Sequence, residues 1–319
     1  MIRYIIRRLL IGVVILVIVC ALTFVFFRVL PTGNPALLRA GRDPQPKLIK
    51  EIERVLGLNK PLIVQFWDYM KEFFLHFNLG YSYYSQESVR GLIGERLSAT
   101  VSLTVGAAVL WVLGGLSVGV ISALRRHSIV DRLSMGTALL LLSVPEFWLG
   151  FVFLLLFSTN IGKVHIFPGA GSYVGLTYDP WKWFTSLIMP WIVLASSSAA
   201  IYARLMRSSL GETMREDYIR TARAKGLRER SVVRQGARSA INPIFTLLGL
   251  EIGVLLGGAV LVETVFNIPG IGVENYKAIL SSDFPVVQGT VLLASAFIIL
   301  ANIVVDIAYA YLDPRVRYQ

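Results

Sequence analysis

Six apolar stretches, each about 20 residues long, constrain this chain more than any other feature of it. They run near Leu9–Leu30, Ser98–Leu124, Leu133–Ser158, Phe184–Met206, Ile244–Phe266 and Val286–Tyr311. At ~1.5 Å of rise per residue, a helix of that length covers the ~30 Å hydrocarbon core of a bilayer. With 55% hydrophobic and only 16% charged residues in 319, only the segment between the first two stretches has room for a folded part outside the membrane. The expected fold is an all-α membrane protein with six transmembrane helices.

Arg3, Arg7 and Arg8 followed by an apolar run resemble an export signal. The run is too long for that, and no small-residue cleavage site precedes Arg28 and Pro31, so it reads as the first span. The single cysteine, Cys20, lies inside it and excludes an intrachain disulfide. Lys and Arg sort by side. Arg3, Arg7 and Arg8 precede the first span, Arg125, Arg126 and Arg132 separate the second from the third, and Arg315 and Arg317 follow the sixth. Ten more, from Arg204 to Arg238, separate the fourth from the fifth, whereas the opposite short connections hold only Lys163, Lys182 and Lys277. The positive-inside rule then puts both termini and the basic loop in the cytoplasm. The segment 31–97 carries nine Lys/Arg on the other side, but it exceeds the ~60 residues over which the rule is counted. The net charge of +11 is thus mostly topology, and nucleic acid is not needed to explain it.

The chain divides into a first transmembrane helix (1–30), an extracytoplasmic helical segment (31–97), a five-helix transmembrane core (98–311) containing a cytoplasmic loop (212–243), and a cytoplasmic tail (312–319). In the outer segment, Leu48, Ile49, Ile52, Val55 and Leu56 form a short helical stripe ended by Gly57. After Asn59-Lys60-Pro61, Leu62, Ile63, Phe66, Trp67, Met70, Phe73, Phe74 and Phe77 form a longer one. These helices suit a cap packed on the membrane domain, a docking surface for an extracytoplasmic partner, or both.

Polar groups within the spans are candidates for a solute path by default. Glu146 follows Pro145, where a kink would expose carbonyls. Gly249, Gly253 and Gly257 give the fifth span a bare face for close approach of another helix, and Glu251 points about 200° away from Gly249. A helix with both features is best enclosed on more than one side. Ser295, Asn302 and Asp306 share a face of the sixth span, where helix–helix hydrogen bonding is the alternative to a path role for Asp306.

The basic loop reads ETMREDYIRTARAKGLRERSVVRQGARSAINP from Glu212. Gly226 suits the left-handed end of a short helix, and Val232, Val233, Ala237, Ala240 and Ile241 carry a second helix straight into the fifth span. A short helix, a glycine turn and a helix continuous with a membrane helix make a stiff lever. Binding of anionic headgroups is a simpler reading of the charge. Ala222, Gly226 and Val232 also have helix-turn-helix spacing, but a duplex would have to approach within a few ångströms of the bilayer.

Arg220-Thr221-Ala222-Arg223-Ala224-Lys225-Gly226-Leu227, followed by Ala237 to Pro243, resembles the EAA loop of ABC importer permeases, in the form found in the dipeptide, oligopeptide and nickel branch. Five further segments resemble that branch in order along the chain: Tyr4 to Leu10, Pro31 to Pro35, Leu56 to Pro61, Glu263 to Phe266 with Pro269 to Gly272, and Asp283 to Gly289 with Asp313 to Arg315. Gln235-Gly236-Ala237-Arg238 stands where a His-Ala-Leu-Arg pattern is common, Asn34 where Asp is usual, and Glu251 where an uncharged amide is expected.

The resemblance implies the type I ABC importer permease fold and the first of two permeases. Tyr218, Arg220, Thr221, Ala222, Arg223, Ala224, Lys225, Gly226 and Leu227 would form the coupling helix that fits a groove on a cytoplasmic ATPase. It implies two ATPase subunits that bind ATP and Mg, a homologous second permease forming a heterodimer, and an extracytoplasmic substrate-binding protein. The location would be a bacterial or archaeal cytoplasmic membrane. The expected solute is a di- or oligopeptide, with nickel or another small solute as the alternative. The chain has no G-x-x-x-x-G-K-[ST] phosphate loop and is expected to be no enzyme and to hold no cofactor or metal itself. A secondary transporter and a membrane-tethered helix-turn-helix regulator are the competing classes, and both leave the loop's coupling pattern without a task.

Overall fold

The computed structural model describes residues 2–29, 36–37, 45–55 and 57–312, and of these the side chains from residue 5 to 305 and at 307. Residues 31–35, Leu56 and the tail from 313, where parts of the family resemblance fall, lie outside the described residues. Among the described residues the structure is helical, with isolated bridges in place of strands. Four helices are long and apolar enough to cross a membrane, or six if each of two bent pairs counts as one span.

Helix α1 (Ile2–Phe24) ends in a π-helical turn (Val25–Val29). The outer segment folds into α2 (Pro46–Val55) and α3 (Leu62–His76), joined through Gly57 in the left-handed region at φ 67°. The cap packs with only part of the expected apolar stripe, joined by polar residues beside it. Phe66 and Tyr69 meet Phe24 of α1 with ring centroids 5.4 and 5.9 Å apart. Buried Gln65 beside them accepts from Arg28 Nε at 3.2 Å and donates to the Lys60 carbonyl at 2.8 Å. Leu62, Ile63, Trp67 and Phe77, from the same stripe, stay exposed.

Helix α4 (Val89–Leu124) begins at the Ser88 cap and runs for 36 residues, about 54 Å, well beyond a bilayer core. It lies parallel to α7 (Pro180–Thr213) along a glycine seam. A Cβ at Gly106 would come within 2.5 Å of Trp191, at Gly115 within 2.7 Å of Tyr202, and at Gly119 within 2.6 Å of Met206. Leu103, Trp111, Leu187, Tyr202, Met206 and Leu210 fill the core between the two helices.

The expected third span is two helices, not one. Helices α5 (Ile129–Ser143) and α6 (Glu146–Phe157) meet at 103°. Pro145 has no N–H to continue the ladder, and its ring drives Val144 to extended backbone at φ −95°, ψ 123°. The expected lever is likewise bent. Helix α9 (Glu229–Ala240) meets α10 (Asn242–Leu256) at 49°, because Pro243 lacks the donor that would bond to Ser239. The turn remains hydrogen-bonded, with Ile241 N to Ala237 O at 3.1 Å and Phe245 N to Ile241 O at 3.3 Å.

The fifth stretch is interrupted as well. Helix α10 stops at Leu256, and after Gly257-Gly258-Ala259 a short α11 (Val260–Val265) begins. Its glycine face packs on α13 (Phe284–Leu312), running antiparallel. A Cβ at Gly253 would lie 2.8 Å from Ile298 Cα and one at Gly257 2.6 Å from Ala294 Cβ, while Gly249 faces Val305. The opposite side of α10 touches α4 and α7, so the helix is enclosed on two sides, as its sequence suggests. Helix α1 also lies antiparallel to α13, with Gly12 against Ile299 and Phe27 against Phe284, so the start of α1 and the end of α13 share one end of the body.

Three buried carboxylates tie distant segments. Asp131 of α5 receives both Nε and a terminal nitrogen of Arg207 from α7 at 2.6 and 2.8 Å, the Ser122 hydroxyl from α4, and the His127 N–H at 2.9 Å. Asp283 receives the Ser82 hydroxyl and the Tyr83 N–H at 2.9 Å, fixing the outer segment to the head of α13. Glu263 of α11, fully buried, receives the Thr100 hydroxyl at 2.8 Å and Val273 N–H at 3.0 Å. Gly270 and Gly272 let the chain entering α12 (Ile271–Leu280) wrap this carboxylate; a Cβ at Gly272 would lie 2.9 Å from its Oε2.

Candidate functional site

The chain leaves α7 through tight turns, with Met214 N bonded to Leu210 O at 2.9 Å and Glu216 N to Thr213 O at 3.1 Å, and enters α8 (Asp217–Ala224) at once. Eight residues are too few for a stable helix in water, so tertiary contacts must hold α8. Ile219 and Ala222 are buried against Val232 of α9 in a small cluster of their own, and Met214 packs both against it and against the main core. Gly236 of α9 makes room for this packing, since a Cβ there would lie 3.0 Å from the Met214 sulfur. That close approach accounts for glycine at a position where the resembling family commonly has alanine.

Gly226 ends α8 at φ 74°, a left-handed conformation that costs glycine nothing. Its N–H bonds to Arg223 O at 2.9 Å, and Leu227 N to Ala222 O at 3.3 Å. Across the turn Arg223 donates twice to Glu229, at 2.7 and 3.2 Å, and its guanidinium holds the Glu229 carboxyl below its ordinary range. The pair spans the turn between α8 and α9, but it is exposed and adds little stability.

Of the nine residues expected to couple, Tyr218, Arg220, Thr221, Arg223, Ala224, Lys225, Gly226 and Leu227 are exposed, and Ala222 is buried inside the hairpin. The outward side is therefore a basic ridge with two apolar side chains, Tyr218 and Leu227, 46% and 41% exposed. Ala222 supports that ridge from beneath. Val232, Gly236 and Met214 belong to the same support. The α9 stripe points to Val232, whereas the roles of Gly236 and Met214 depend on the fold around them.

A second polar locus lies in the helical body. Glu146 is the first residue of α6, and Ser197 of α7 donates to its Oε1 at 2.5 Å. Glu251 of α10 reaches the same stretch of α7, where Tyr202 and Ser198 are hydrogen-bonding neighbours of its carboxylate. The fold thus brings together two of the three acidic residues marked in the sequence. The side chain of Asp306 lies outside the described residues. On its expected face, Ser295 bonds back to Val291 O at 2.8 Å and Asn302 is exposed.

Residues 115–318 match the family described as binding-protein-dependent transport system inner membrane component, and residues 1–104 match the N-terminal part described for the same membrane component. The chain belongs to this family. A Brucella abortus protein named as a peptide transport system permease is 40% identical over 315 residues, 98% of each chain. A glutathione transport system permease protein of Pectobacterium atrosepticum is 40% identical over 320 residues, all of both chains, and the one from Escherichia coli O6:H1 is 39% identical over the same span. These relatives are permease components of transport systems rather than enzymes. An inner membrane component of this kind works within a larger system, and the exposed ridge of α8 is a surface in this chain suited to a partner.

Proposed function

We propose that this chain is one of two permease subunits of an ATP-binding-cassette importer for di- or oligopeptides, including glutathione-like ones. In this reading six spans cross a bacterial or archaeal cytoplasmic membrane, the bent pairs α5/α6 and α9/α10 each counting as one, with both termini inside. A homologous second permease covers the open face of α10, where Thr246, Leu250 and Val254 are exposed. Two cytoplasmic ATPases bind ATP and Mg, and a binding protein delivers peptide to the outer face, where the apolar edge of α3 lies open.

The observation that carries this reading is the α8–α9 hairpin. Its own small core holds a short helix rigid, presents an exposed basic ridge, and leads through a hydrogen-bonded bend into α10. A push on α8 moves α10 as a bent lever, and α10 carries its glycine face against α13 and Glu251 toward α7. The names of relatives at 40% identity over full length support the peptide substrate.

The test is reconstitution. Proteoliposomes holding this chain, its second permease and both ATPases are supplied with the binding protein and radiolabelled peptides. Uptake that requires ATP and the binding protein together is expected. Uptake driven by an ion gradient without ATP would place the chain in the secondary-transporter class.

A further inference from the structure

The bond from Arg207 to Asp131 uses two of the three guanidinium nitrogens. Arg207 also lines a cavity of about 220 Å³ at the basic end of α7, with Arg126, Ser208, Gly211, Glu212 and Arg215. Arg126 comes from the turn between α4 and α5, and its Nη1 lies 3.6 Å from where a Cβ of Gly211 would stand. Neither Arg126 nor Arg215 has an ion pair among the described residues. Glu212 receives the Ser208 hydroxyl at 3.2 Å. Against Glu212 and Asp131, the three arginines leave an excess of positive charge in a small space. The turn that carries Arg126 is tied down. Asp131 receives the His127 N–H and the Ser122 hydroxyl, and Ser128 accepts the Asp131 N–H at 3.2 Å.

A second hollow, of about 410 Å³ and mostly apolar, lies among α4, α5 and α7, with Gly114, Gly115, Ala138, Ala199, Ala200 and Ala203 in its walls. On α7, Ala200, Ala203, Arg207 and Gly211 follow at spacings of three and four, so groove and cavity share one ridge. From Ala203 to Arg207 the helix rises ~6 Å. On α5, Leu133 of the groove stands two residues after Asp131. Around the same α4–α5 turn, Ile121, Leu124 and Ile129 are exposed apolar side chains. Such a surface faces lipid, and it sets the arginines at the level of the headgroups.

A soluble phosphate would fill the cavity and leave the groove empty. A helix of another protein would fill the groove and leave the arginines unanswered. A phosphodiester that carries acyl chains matches both. Guanidinium groups bind its oxygens in pairs, and basic pockets between helices on the inner side of a membrane suit anionic headgroups. We propose that Arg126, Arg207 and Arg215 hold the phosphate of one anionic phospholipid of the inner leaflet, one of whose acyl chains lies in the groove. Because α7 passes directly from this site into the turns before α8, the lipid ties the α4–α5 turn to the base of the hairpin. The proposal requires these helices to cross a bilayer with their basic ends inward, and it is independent of the solute carried.

Native mass spectrometry of the delipidated permease–ATPase complex tests this, with dioleoyl-phosphatidylglycerol, dioleoyl-phosphatidylcholine and glycerol 3-phosphate as probes. A saturable phosphatidylglycerol site is expected, occupied about tenfold less tightly by phosphatidylcholine and not blocked by excess glycerol 3-phosphate. Arg126→Gln combined with Arg215→Gln, at two exposed positions, should weaken binding about tenfold or more, the size of a lost charge-assisted bond. Gly114→Leu fills the groove from a position with open space around its Cβ, and it favours the helix. It should weaken binding about threefold or more without touching a charge. Arg234→Gln, at an exposed position of α9, removes a like charge elsewhere and should change nothing. Equal binding of phosphatidylcholine, displacement by glycerol 3-phosphate, or unchanged affinity in the double variant or in Gly114→Leu would overturn the proposal. So would a loss in Arg234→Gln as large as in the double variant. The readout is lipid mass on the complex, so failure here is distinguishable from failure of ATP-driven uptake.

Discussion

Gly258→Ala is expected to leave little folded protein, although it adds one methyl group. Gly258 has φ 123°, a region that side chains other than glycine's rarely enter, and a Cβ there would lie 2.5 Å from the Gly272 nitrogen. The collision is backbone against backbone, so no rotamer change relieves it. Shifting the chain at Gly272 would also loosen its wrap around Glu263, which leaves a fully buried carboxylate without its Val273 donor. Strain, clash and a lost buried bond together should exceed about 4 kcal/mol, the level reached only by the most damaging single changes. Gly94→Ala is the control, because Gly94 is exposed on α4 with open space around its Cβ position. It should change stability by about 1 kcal/mol or less, in the favourable direction set by helix propensity. Yield and thermal midpoint in detergent, measured for both variants, check the pair.

Ala222→Glu is expected to disconnect the permease from its ATPases while leaving the membrane body intact. Ala222 is 6% exposed and packs with Ile219 and Val232, both at 0%. A carboxylate at that position has no partner and would cost several kcal/mol to bury, so the hairpin opens instead. An eight-residue helix cannot stand without its packing, and the basic ridge loses its shape with it. The cluster that breaks meets the main core through the partly buried Met214, so the yield and thermal midpoint of the permease itself should stay near those of the unaltered protein. Each 1.4 kcal/mol is a tenfold change in population, so ATPase recovered by affinity purification should fall at least about tenfold. Ser239→Glu, on the exposed side of α9, is expected to leave recovery unchanged.

Much of this architecture is visible in the pattern of residues, and the parts that are not have identifiable causes. The glycines at 249, 253 and 257 predict a close helix partner because four-residue spacing puts them on one face, and α13 occupies that face. The stop at Gly258 is hidden by the same pattern, since adjacent Gly257 and Gly258 read as the end of the stripe rather than the end of the helix. Pro145 predicts a kink, but its 103° size depends on where α5 and α6 each find packing. The parallel seam of α4 on α7 uses Gly106, Gly115 and Gly119, whose spacing of nine and four does not stand out in an apolar run. Arg207 counts in the sequence as one more positive charge on the inner side; its bond to Asp131 spans 76 positions, and no local pattern announces it. The short helix α8 is legible from Gly226 and the stripe after it. That Ala222 faces inward while its neighbours face out emerges only from the hairpin's own core, because α8 is too short to define a face by periodicity.

The claim at the centre of this account is that the outer ridge of α8 touches an ATPase. Site-directed photocrosslinking tests it directly. The chain's single cysteine, Cys20, is buried and can be changed to serine, so one new cysteine at a time can carry a benzophenone probe. Arg220→Cys places the probe on the ridge, where the native side chain is 72% exposed. Tyr84→Cys places it beside the head of α4, at the opposite end of the parallel α4–α7 pair, where the native residue is 84% exposed. Irradiation of the assembled complex is expected to join the ATPase covalently to the probe at residue 220 and not at residue 84. Capture of the ATPase at both positions alike, or at 84 alone, would contradict the account.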